Sequence, residues 1–320
     1  GIAIAAVILL SPVSNGWSQT GPYPVKLIRI VNPVAPGGNQ DIMARAIADQ
    51  MARGFGQPVG GESRPGASAT VGTRFVRSAP PDGYTLLAIS NTFARVPAVR
   101  ADAGYDPLKD FAAISQTSDV PLVLVVNPAL PVKTVQQLIA LAKLRPGELT
   151  SASSGIGSTG HVATEMFSRQ AGIRMLHIQY KGAAPAVIDL VGGHVMLRFD
   201  QVTTSLPFIR AGKLRALGVT TRKRSAVLPE VPTVEEAGLA GFHDSTFNGL
   251  MAPAGTPHEI IERLRAEVAK AAAVTELRNR FIAQGIELIS SNSAEEFAGF
   301  LRKQVEDFAN LARQAGIRAN

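Results

Sequence analysis

Residues 151–167 read SASSGIGSTGHVATEMF, a Ser-rich and Gly-rich loop that runs from an apolar segment directly into a predicted helix. The first turn of a helix has backbone N–H groups without intrahelical acceptors, and the helix dipole adds partial positive charge there. The stretch therefore predicts an anion-binding helix start. Residues 26–48, KLIRIVNPVAPGGNQDIMARAIA, repeat the arrangement as a strand, a Gly-rich turn and a helix from about Asn39. Two such loops, far apart in one chain, predict a cleft between two lobes.

The spacing of Gly155, Gly157 and Gly160 also matches the GxGxxG pattern of dinucleotide-binding loops. That fold places an acidic residue for the NAD ribose at the end of the next strand. Residues 174–182, RMLHIQYKG, end that strand without a carboxylate, and the next acid is Asp189. This argues against NAD, whereas an NADP-dependent oxidoreductase using the same loop stays open as the alternative. No GxxxxGK follows either loop, which argues against a nucleotide P-loop.

A secreted hydrolase is a further alternative, because Ser158 and His161 are close in sequence. A nucleophile elbow has the pattern GxSxG, and here Ile156 stands at its first Gly. The five histidines are dispersed without HExxH-like spacing, so we expect no metal site. The chain has no cysteine, which removes disulfides, thiol nucleophiles and thiolate ligands. We expect no cofactor and no catalytic residue.

The formal net charge is +7 and the sequence pI is about 9.9, which favours anionic partners. The basic residues are scattered, and only residues 222–224 form a run. Four Tyr and one Trp give no aromatic ladder on which bases could stack. We therefore expect no nucleic-acid partner.

The first ten residues, GIAIAAVILL, are wholly apolar, and residues 11–18 then bring Ser, Pro, Asn and Gly. This pattern is typical of the apolar and cleavage regions of a secretory signal and is too short to span a bilayer. We expect residues 1–18 to be a residual signal peptide, and the mature chain to begin near Gln19 and to work outside the cytoplasm. The alternative is a short apolar arm on a cytosolic protein.

Apolar strand-like runs alternate with helical patterns along the chain, which is typical of parallel sheets covered by helices. Three helix starts have a capping-box pattern: Thr134 with Gln137, Thr256 with Glu259, and Ser293 with Glu296.

Ligands of open α/β sheets bind beyond the carboxyl ends of the strands, and five loops of this chain fall there. They are residues 34–38, 90–93, 153–159, 180–182 and 200–204. Most are rich in Gly, small hydroxyls or amides, the groups that hydrogen-bond small polar ligands. The candidate ligand-binding residues are Val34, Pro36, Gly37, Gly38, Asp41, Ser90, Asn91, Thr92, Phe93, Ser153, Ser154, Gly155, Gly157, Ser158, Thr159, Tyr180, Lys181, Gly182 and Asp200.

Seven segments resemble, in the same order, signatures of the periplasmic solute receptors of tripartite tricarboxylate transporters, the Bug receptors. They are VNPVAPGGNQDIMAR (31–45), PPDGYTLL (80–87), YDPLKDFAAI (105–114), SSGIGSTGHVATEMF (153–167), YKGAAPAVIDLVGGHV (180–195), LRALGVTTRKRSAVLPEVPTVEEAGLAGF (214–242) and GLMAPAGTP (249–257). The resemblance extends from about Tyr23 to the C-terminus.

This resemblance implies a Venus-flytrap α/β fold, with two lobes joined by crossing strands that close on a small carboxylate and present it to a membrane permease. Lobe 1 would comprise residues 21–118 and 226–320, and lobe 2 residues 119–225. The ligand carboxylate would be held by Pro36, Gly37 and Gly38 on one side and by Ser153, Ser154, Gly155, Gly157, Ser158 and Thr159 on the other.

Several positions depart from the family's usual pattern. They are Val34, Gln40, Phe93, Val96, Ile156, Met196 and Arg198. The trend toward apolar and aromatic residues favours a larger or aromatic carboxylate over a small amino acid, and a dicarboxylate remains compatible with the loops.

Overall fold

The computed structural model describes residues 23–34, 36–37, 39–155, 157–180 and 183–316. The predicted signal segment and three candidate ligand residues, Gly38, Lys181 and Gly182, lie outside these ranges. The strands are β1 (Ile28–Asn32), β2 (Val59–Ser63), β3 (Thr85–Ser90), β4 (Phe111–Val126), β5 (Thr150–Ser153), β6 (Leu176–Gln179), β7 (Leu197–Gln201), β8 (Arg215–Val219), β9 (Ser245–Pro253) and β10 (Glu287–Leu288).

The helices follow the strands in regular alternation through most of the chain. They are α1 (Asn39–Phe55), α2 (Thr70–Arg77), α3 (Asn91–Val99), α4 (Val135–Leu144), α5 (Thr159–Ala171), α6 (Ala183–Gly192), α7 (Val202–Arg210), α8 (His258–Ala273), α9 (Thr275–Ile282) and α10 (Ala294–Ala315). None of the helices within the described ranges has the length and apolar content that crossing a membrane requires.

The strand order is β2-β1-β3-β9-β4-β7-β5-β6, with β8 and β10 also paired to β4. Strands β1, β2 and β3 are parallel to one another, as are β5, β6 and β7. These two groups define lobe 1 and lobe 2, and the antiparallel strands β4 and β9 connect them. The predicted α/β architecture of two lobes joined by crossing strands is confirmed.

Strand β4 belongs to both lobes. Over its first part, from Phe111 to Pro121, it pairs with β9, and from Leu122 to Val126 it pairs with β7 on one side and β8 on the other. The second part is buried on both faces, because alternate side chains enter two separate cores of lobe 2. Leu122 and Leu124 pack toward one core and Val123 and Val125 toward the other, as the two-residue period of a strand dictates.

Residues 226–244 pack with lobe 2, although the sequence analysis assigned them to lobe 1. Leu228 and Val231 enter one lobe 2 core, and Val234, Leu239 and Phe242 enter the other. The chain therefore returns toward lobe 1 only at β9.

Two of the three expected helix caps form, although the Gln137 and Glu296 side chains accept the N–H groups of Lys133 and Asn292, one residue before each cap, and so do not complete a capping box. The Thr134 side chain accepts the Gln137 N–H at 3.1 Å, and Ser293 accepts the Glu296 N–H at 3.1 Å. The third expectation is wrong, because α8 begins at His258 and the Thr256 hydroxyl donates to the Pro253 carbonyl instead.

Helix α5 lies unusually close to β7 at Gly160. A Cβ at this position would lie 2.4 Å from the Phe199 carbonyl oxygen, so only glycine fits without backbone movement. We expect Gly160→Ala to lower the free energy of unfolding by about 1–3 kcal/mol, as overpacking of a core does. Chemical denaturation measures this change.

The matched control is Gly299→Ala, since Gly299 is also helical but a Cβ there meets no atom within 4 Å. This variant should gain about 0.5–1 kcal/mol, because Ala is the better helix former. Equal effects of the two substitutions would contradict the close approach of α5 to β7.

Candidate functional site

The first Gly-rich loop connects β1 to α1 and is held by Asp41. The Asp41 carboxylate accepts the Gly37 N–H at 3.0 Å, the Asn32 amide at 3.2 Å and the Arg45 guanidinium at 3.0 Å. Burial works against ionisation of Asp41, but the hydrogen bonds from Arg45, Gly37 and Asn32 outweigh it and hold the pKa of the carboxyl below its ordinary value. In this structure Asp41 shapes the loop through local hydrogen bonds.

The second loop connects β5 to α5, and its backbone N–H groups donate hydrogen bonds to the side chains of Ser153 and His161. The Ser153 hydroxyl accepts the Gly155 N–H at 3.2 Å, and His161 Nδ1 accepts the Gly157 N–H at 3.0 Å. Gly155 and Gly157 have φ angles of +140° and +75°, which favour glycine. Ser158 is the N-cap of α5 and accepts the His161 N–H at 3.4 Å.

Two histidines lie beneath this loop. The rings of His161 and His177 are stacked with their centroids 4.1 Å apart, and His177 Nε2 lies 2.6 Å from the Ser153 hydroxyl. Burial, with a further contribution from His177, lowers the pKa of His161 to about 4. His161 is therefore neutral at physiological pH and can accept the Gly157 N–H. This pair could not be predicted from the sequence, because His161 lies on α5 and His177 on β6.

The second loop meets the crossing strands at Thr246. The Thr246 hydroxyl lies 3.4 Å from that of Thr159 and accepts the Gln201 amide at 3.2 Å. On lobe 1, the Asn91 amide donates to the Ser245 carbonyl and its oxygen accepts the Phe247 N–H, both at 2.9 Å. The start of β9 therefore contacts the starts of α3 and α5 and the end of β7.

Asn39, at the start of α1, was not among the candidates from the sequence. Both its amide nitrogen and its amide oxygen are buried, and neither has a hydrogen-bond partner among the described residues. A buried amide without partners costs free energy, and such groups in native structures call for an explanation. Its position directly after the first Gly-rich loop makes Asn39 a ligand-contact candidate.

Phe93 was expected to contact the ligand, but its ring lies in the core of lobe 1. Its side chain is 3% exposed, stacks on Tyr105 at 5.4 Å and meets Phe111 edge-on at 5.2 Å. The expectation is corrected on this packing, because no face of the ring is open to a ligand.

The loops after β6 and β7 are anchored in lobe 2. Tyr180 donates its hydroxyl to Asp189 at 2.7 Å. Asp200 is buried and forms a salt bridge of 2.6 Å with Arg198, while Ser205 donates to its other oxygen at 2.6 Å. Asp200 thus acts inside the lobe, and its charge is balanced by Arg198.

The remaining candidates differ in exposure. Val34, Ser90, Thr92 and Ser154 are partly buried, and Pro36 is exposed. Ser90 is the N-cap residue of α3 but makes no side-chain capping hydrogen bond. No hydrogen bond or salt bridge joins the first Gly-rich loop to the second within the described ranges.

The geometry gives no support to metal or hydrolytic chemistry. The described residues contain no group of three His, Cys, Asp or Glu side chains that could hold a metal ion. Ser158 caps a helix, and the Ser153–His177 pair has no carboxylate on the second ring nitrogen of His177 among the described contacts. An acid in that position orients the base of a catalytic triad.

Comparisons with known proteins point to one family. The family model described as "Tripartite tricarboxylate transporter family receptor" matches residues 43–317. The chain is similar to Protein BugT of Bordetella pertussis, with 36% identity over 320 residues, covering 99% of this chain and 96% of that protein.

Solved structures agree with this match. The structure of R. palustris Rpa4515 with adipate has a TM-score of 0.81 and 33% identity, and covers 93% of this chain and 99% of that chain. The structure of MatC from Rhodopseudomonas palustris with bound malate has a TM-score of 0.77 and 29% identity, and covers 90% of this chain and 99% of that chain.

Replacement of Phe93 should affect stability alone. We expect Phe93→Ala to lower the free energy of unfolding by about 3–5 kcal/mol, as loss of a buried aromatic ring does. The order of affinities across a panel of carboxylates, measured by calorimetry below the melting temperature of the variant, should stay that of the unaltered protein. A changed order of affinities would show that Phe93 contacts the ligand.

The low pKa of His161 makes the protein sensitive to acid. Because the folded-state pKa, about 4, lies below the unfolded value of roughly 6.5, stability is lost as pH falls from about 6.5 to about 4. We expect His161→Asn to reduce by about 2 kcal/mol the stability lost between pH 7 and pH 4.5, measured by denaturation at both pH values.

His258→Asn is the control, since His258 is exposed at the start of α8. It should keep the acid sensitivity of the unaltered protein. His177, whose pKa burial also lowers, contributes to the acid sensitivity that remains in His161→Asn. An unchanged pH dependence in His161→Asn would exclude His161 as the group responsible.

Proposed function

Because the chain belongs to the tripartite tricarboxylate transporter receptor family, we propose that it captures a small organic carboxylate between its two lobes and delivers it to a membrane permease. The ligand carboxylate is held at the two Gly-rich loops, residues 36–38 on lobe 1 and residues 153–159 on lobe 2, by the backbone N–H groups that Asp41, Ser153 and His161 do not already accept. Pro36 has no N–H and contributes by contact alone. Side chains around these loops select the rest of the ligand.

The observation that carries this proposal is the pair of helix starts, one on each lobe. Helix α1 begins at Asn39 after the first loop, and α5 begins at Thr159 after the second. The first N–H groups of each helix have no intrahelical acceptor, and each helix dipole favours negative charge there by about 0.3–1 kcal/mol. Asp41 accepts the Gly37 N–H and His161 accepts the Gly157 N–H, which fixes the two loops. The remaining N–H groups of the helix starts can bind an anion.

We propose a dicarboxylate as the ligand class. The structures of the two relatives contain adipate and malate, and each of these ligands is a dicarboxylate. An aromatic carboxylate has less support, because Phe93, the aromatic residue that favoured it, lies in the core. The Asn39 amide can hydrogen-bond a second polar group of the ligand, since both its atoms are buried without partners among the described residues.

The protein is a binding receptor and not an enzyme, because its family and its structural neighbours are binding proteins. This removes the NADP-dependent oxidoreductase as an alternative. Gly160, the third glycine of the GxGxxG spacing, instead allows α5 to approach the Phe199 carbonyl closely.

We further propose that the protein is exported and works in the periplasm as a monomer. The apolar segment at residues 1–10 supports export. One chain supplies both lobes and both Gly-rich loops, so a single copy contains the whole cleft.

Asn39→Ala tests the proposed site. We expect this variant to bind adipate or malate at least about tenfold more weakly, since a hydrogen bond to a charged group contributes about 1.5–3 kcal/mol. The ligand-free protein should keep or gain stability, because a buried amide without partners is removed. Calorimetry and denaturation on the same variant measure the two effects.

Asn279→Ala is the matched control, because Asn279 is exposed on α9. It should leave dicarboxylate affinity unchanged and raise stability by no more than about 0.7 kcal/mol, since Ala is the better helix former. If Asn39→Ala lowers ligand-free stability but leaves dicarboxylate affinity intact, Asn39 is a structural residue. Binding of NADP by the unaltered protein, with no response to any carboxylate, would overturn the proposed function.

A further inference from the structure

A cavity of about 560 Å³ lies beside the crossing strands, apart from the proposed carboxylate site. Lobe 1 contributes α9 and residues 285–288, lobe 2 contributes residues 220–226, and the crossing segments contribute Asp119, Pro121 and residues 243–245. None of the described residues that we propose to bind the carboxylate lines it. Its volume is in the range of about 300–1,000 Å³ that small-molecule sites occupy.

The mouth of this cavity is cationic. Arg222, Lys223 and Arg278 line it and are exposed, and none has a carboxylate within salt-bridge distance in the described part of the chain. A fourth lining cation, Arg224, already pairs with Glu236 at 2.8 Å. Glu287 also lines the cavity and is exposed, but the three unpaired cations outnumber it and favour an anionic group at the opening.

The interior combines an apolar wall with two buried carboxylate oxygens, Asp119 Oδ1 and Asp244 Oδ2, that have no hydrogen-bond partner among the described residues; the charge of Asp244 is balanced by Arg95. Ile282, Ile286 and Leu288 supply the wall. Burial is the main cause that raises the pKa of Asp119 to about 6, so the group is mostly a carboxylate above pH 7. A ligand with a hydrogen-bond donor would satisfy Asp119 Oδ1.

We propose that this cavity is a second ligand site, which binds a small organic anion with an apolar body and a hydrogen-bond donor. The anionic group lies at the cationic mouth, the body packs against the isoleucine and leucine side chains, and the donor reaches Asp119. Because both lobes contribute walls, a bound molecule contacts both and opposes their relative movement. The site is independent of the proposed carboxylate cleft.

The test uses 4-hydroxybenzenesulfonate, which has a permanent charge, an aromatic body and one hydroxyl donor. Titration calorimetry at pH 7.5 should detect its binding to the unaltered protein. The analogue 4-methylbenzenesulfonate has nearly the same shape but no donor, and it should bind about fivefold more weakly. Equal affinity for the two sulfonates, or no binding of either at millimolar concentration, would overturn the proposal.

Two charge reversals on α9 localise the binding. Arg278→Glu should weaken 4-hydroxybenzenesulfonate at least about tenfold, because it replaces a cation at the mouth with an acid. Arg280→Glu makes the same charge change on the same helix, but Arg280 does not line the cavity. It should change the affinity less than about twofold, and equal effects of the two variants would contradict binding in this cavity.

A cavity-filling variant separates this site from the carboxylate cleft. Ala226 is exposed and lines the cavity, so Ala226→Trp should abolish sulfonate binding while adipate affinity stays unchanged. Asn39→Ala should show the opposite pattern. Unchanged sulfonate binding in Ala226→Trp overturns the second site alone, and an absence of adipate binding to the unaltered protein overturns the proposed function alone.

Discussion

The antiparallel pairing of β4 with β9 is the interaction on which the two-lobe arrangement depends. Its register runs from Phe111 opposite Pro253 to Pro121 opposite Ser245, and both strands pass between the lobes. A buried ion pair adds a second connection, because Arg95 of α3 contacts Asp244, directly before β9, at 3.3 Å. Breaking a buried pair of this kind by removing one partner costs about 3–5 kcal/mol. The two lobes are therefore joined through this ladder and this ion pair.

The parallel strands and several helix starts could be predicted because their signals are local. An apolar run such as residues 121–127 marks a buried strand, and a Ser or Thr three residues before Glu or Gln marks a cap. The first half of β4 and all of β9 were not predicted as strands. Their sequences, FAAISQTSDV and STFNGLMAP, are rich in Ser, Thr and Asn, and their pairing joins residues as far apart as Ser118 and Asn248. Only the folded chain brings these partners together.

In the candidate site, too, the features with local signals could be predicted and those that depend on distant residues could not. The two Gly-rich loops were recognisable because positive φ angles and helix starts leave Gly and Ser at fixed local positions. Asn39 and the His161–His177 stack were missed because burial and ring contact arise from other elements. Phe93 was misassigned for a related reason: its place near a strand end was correct, but Tyr105 and Phe111, 12 and more residues further along the chain, decide where the ring packs.

In the proposed site main-chain N–H groups bind the carboxylate, and this has an evolutionary consequence. Every amino acid except proline carries that group, so side-chain substitutions in the loops leave the donors in place. Glycines with positive φ and the close approach at Gly160 limit which positions can vary. Neighbouring side chains are free to diverge and to accommodate new ligand bodies while recognition of the negative charge persists. A fold of this kind can acquire new substrates through small inherited changes without first losing the ability to bind an acid.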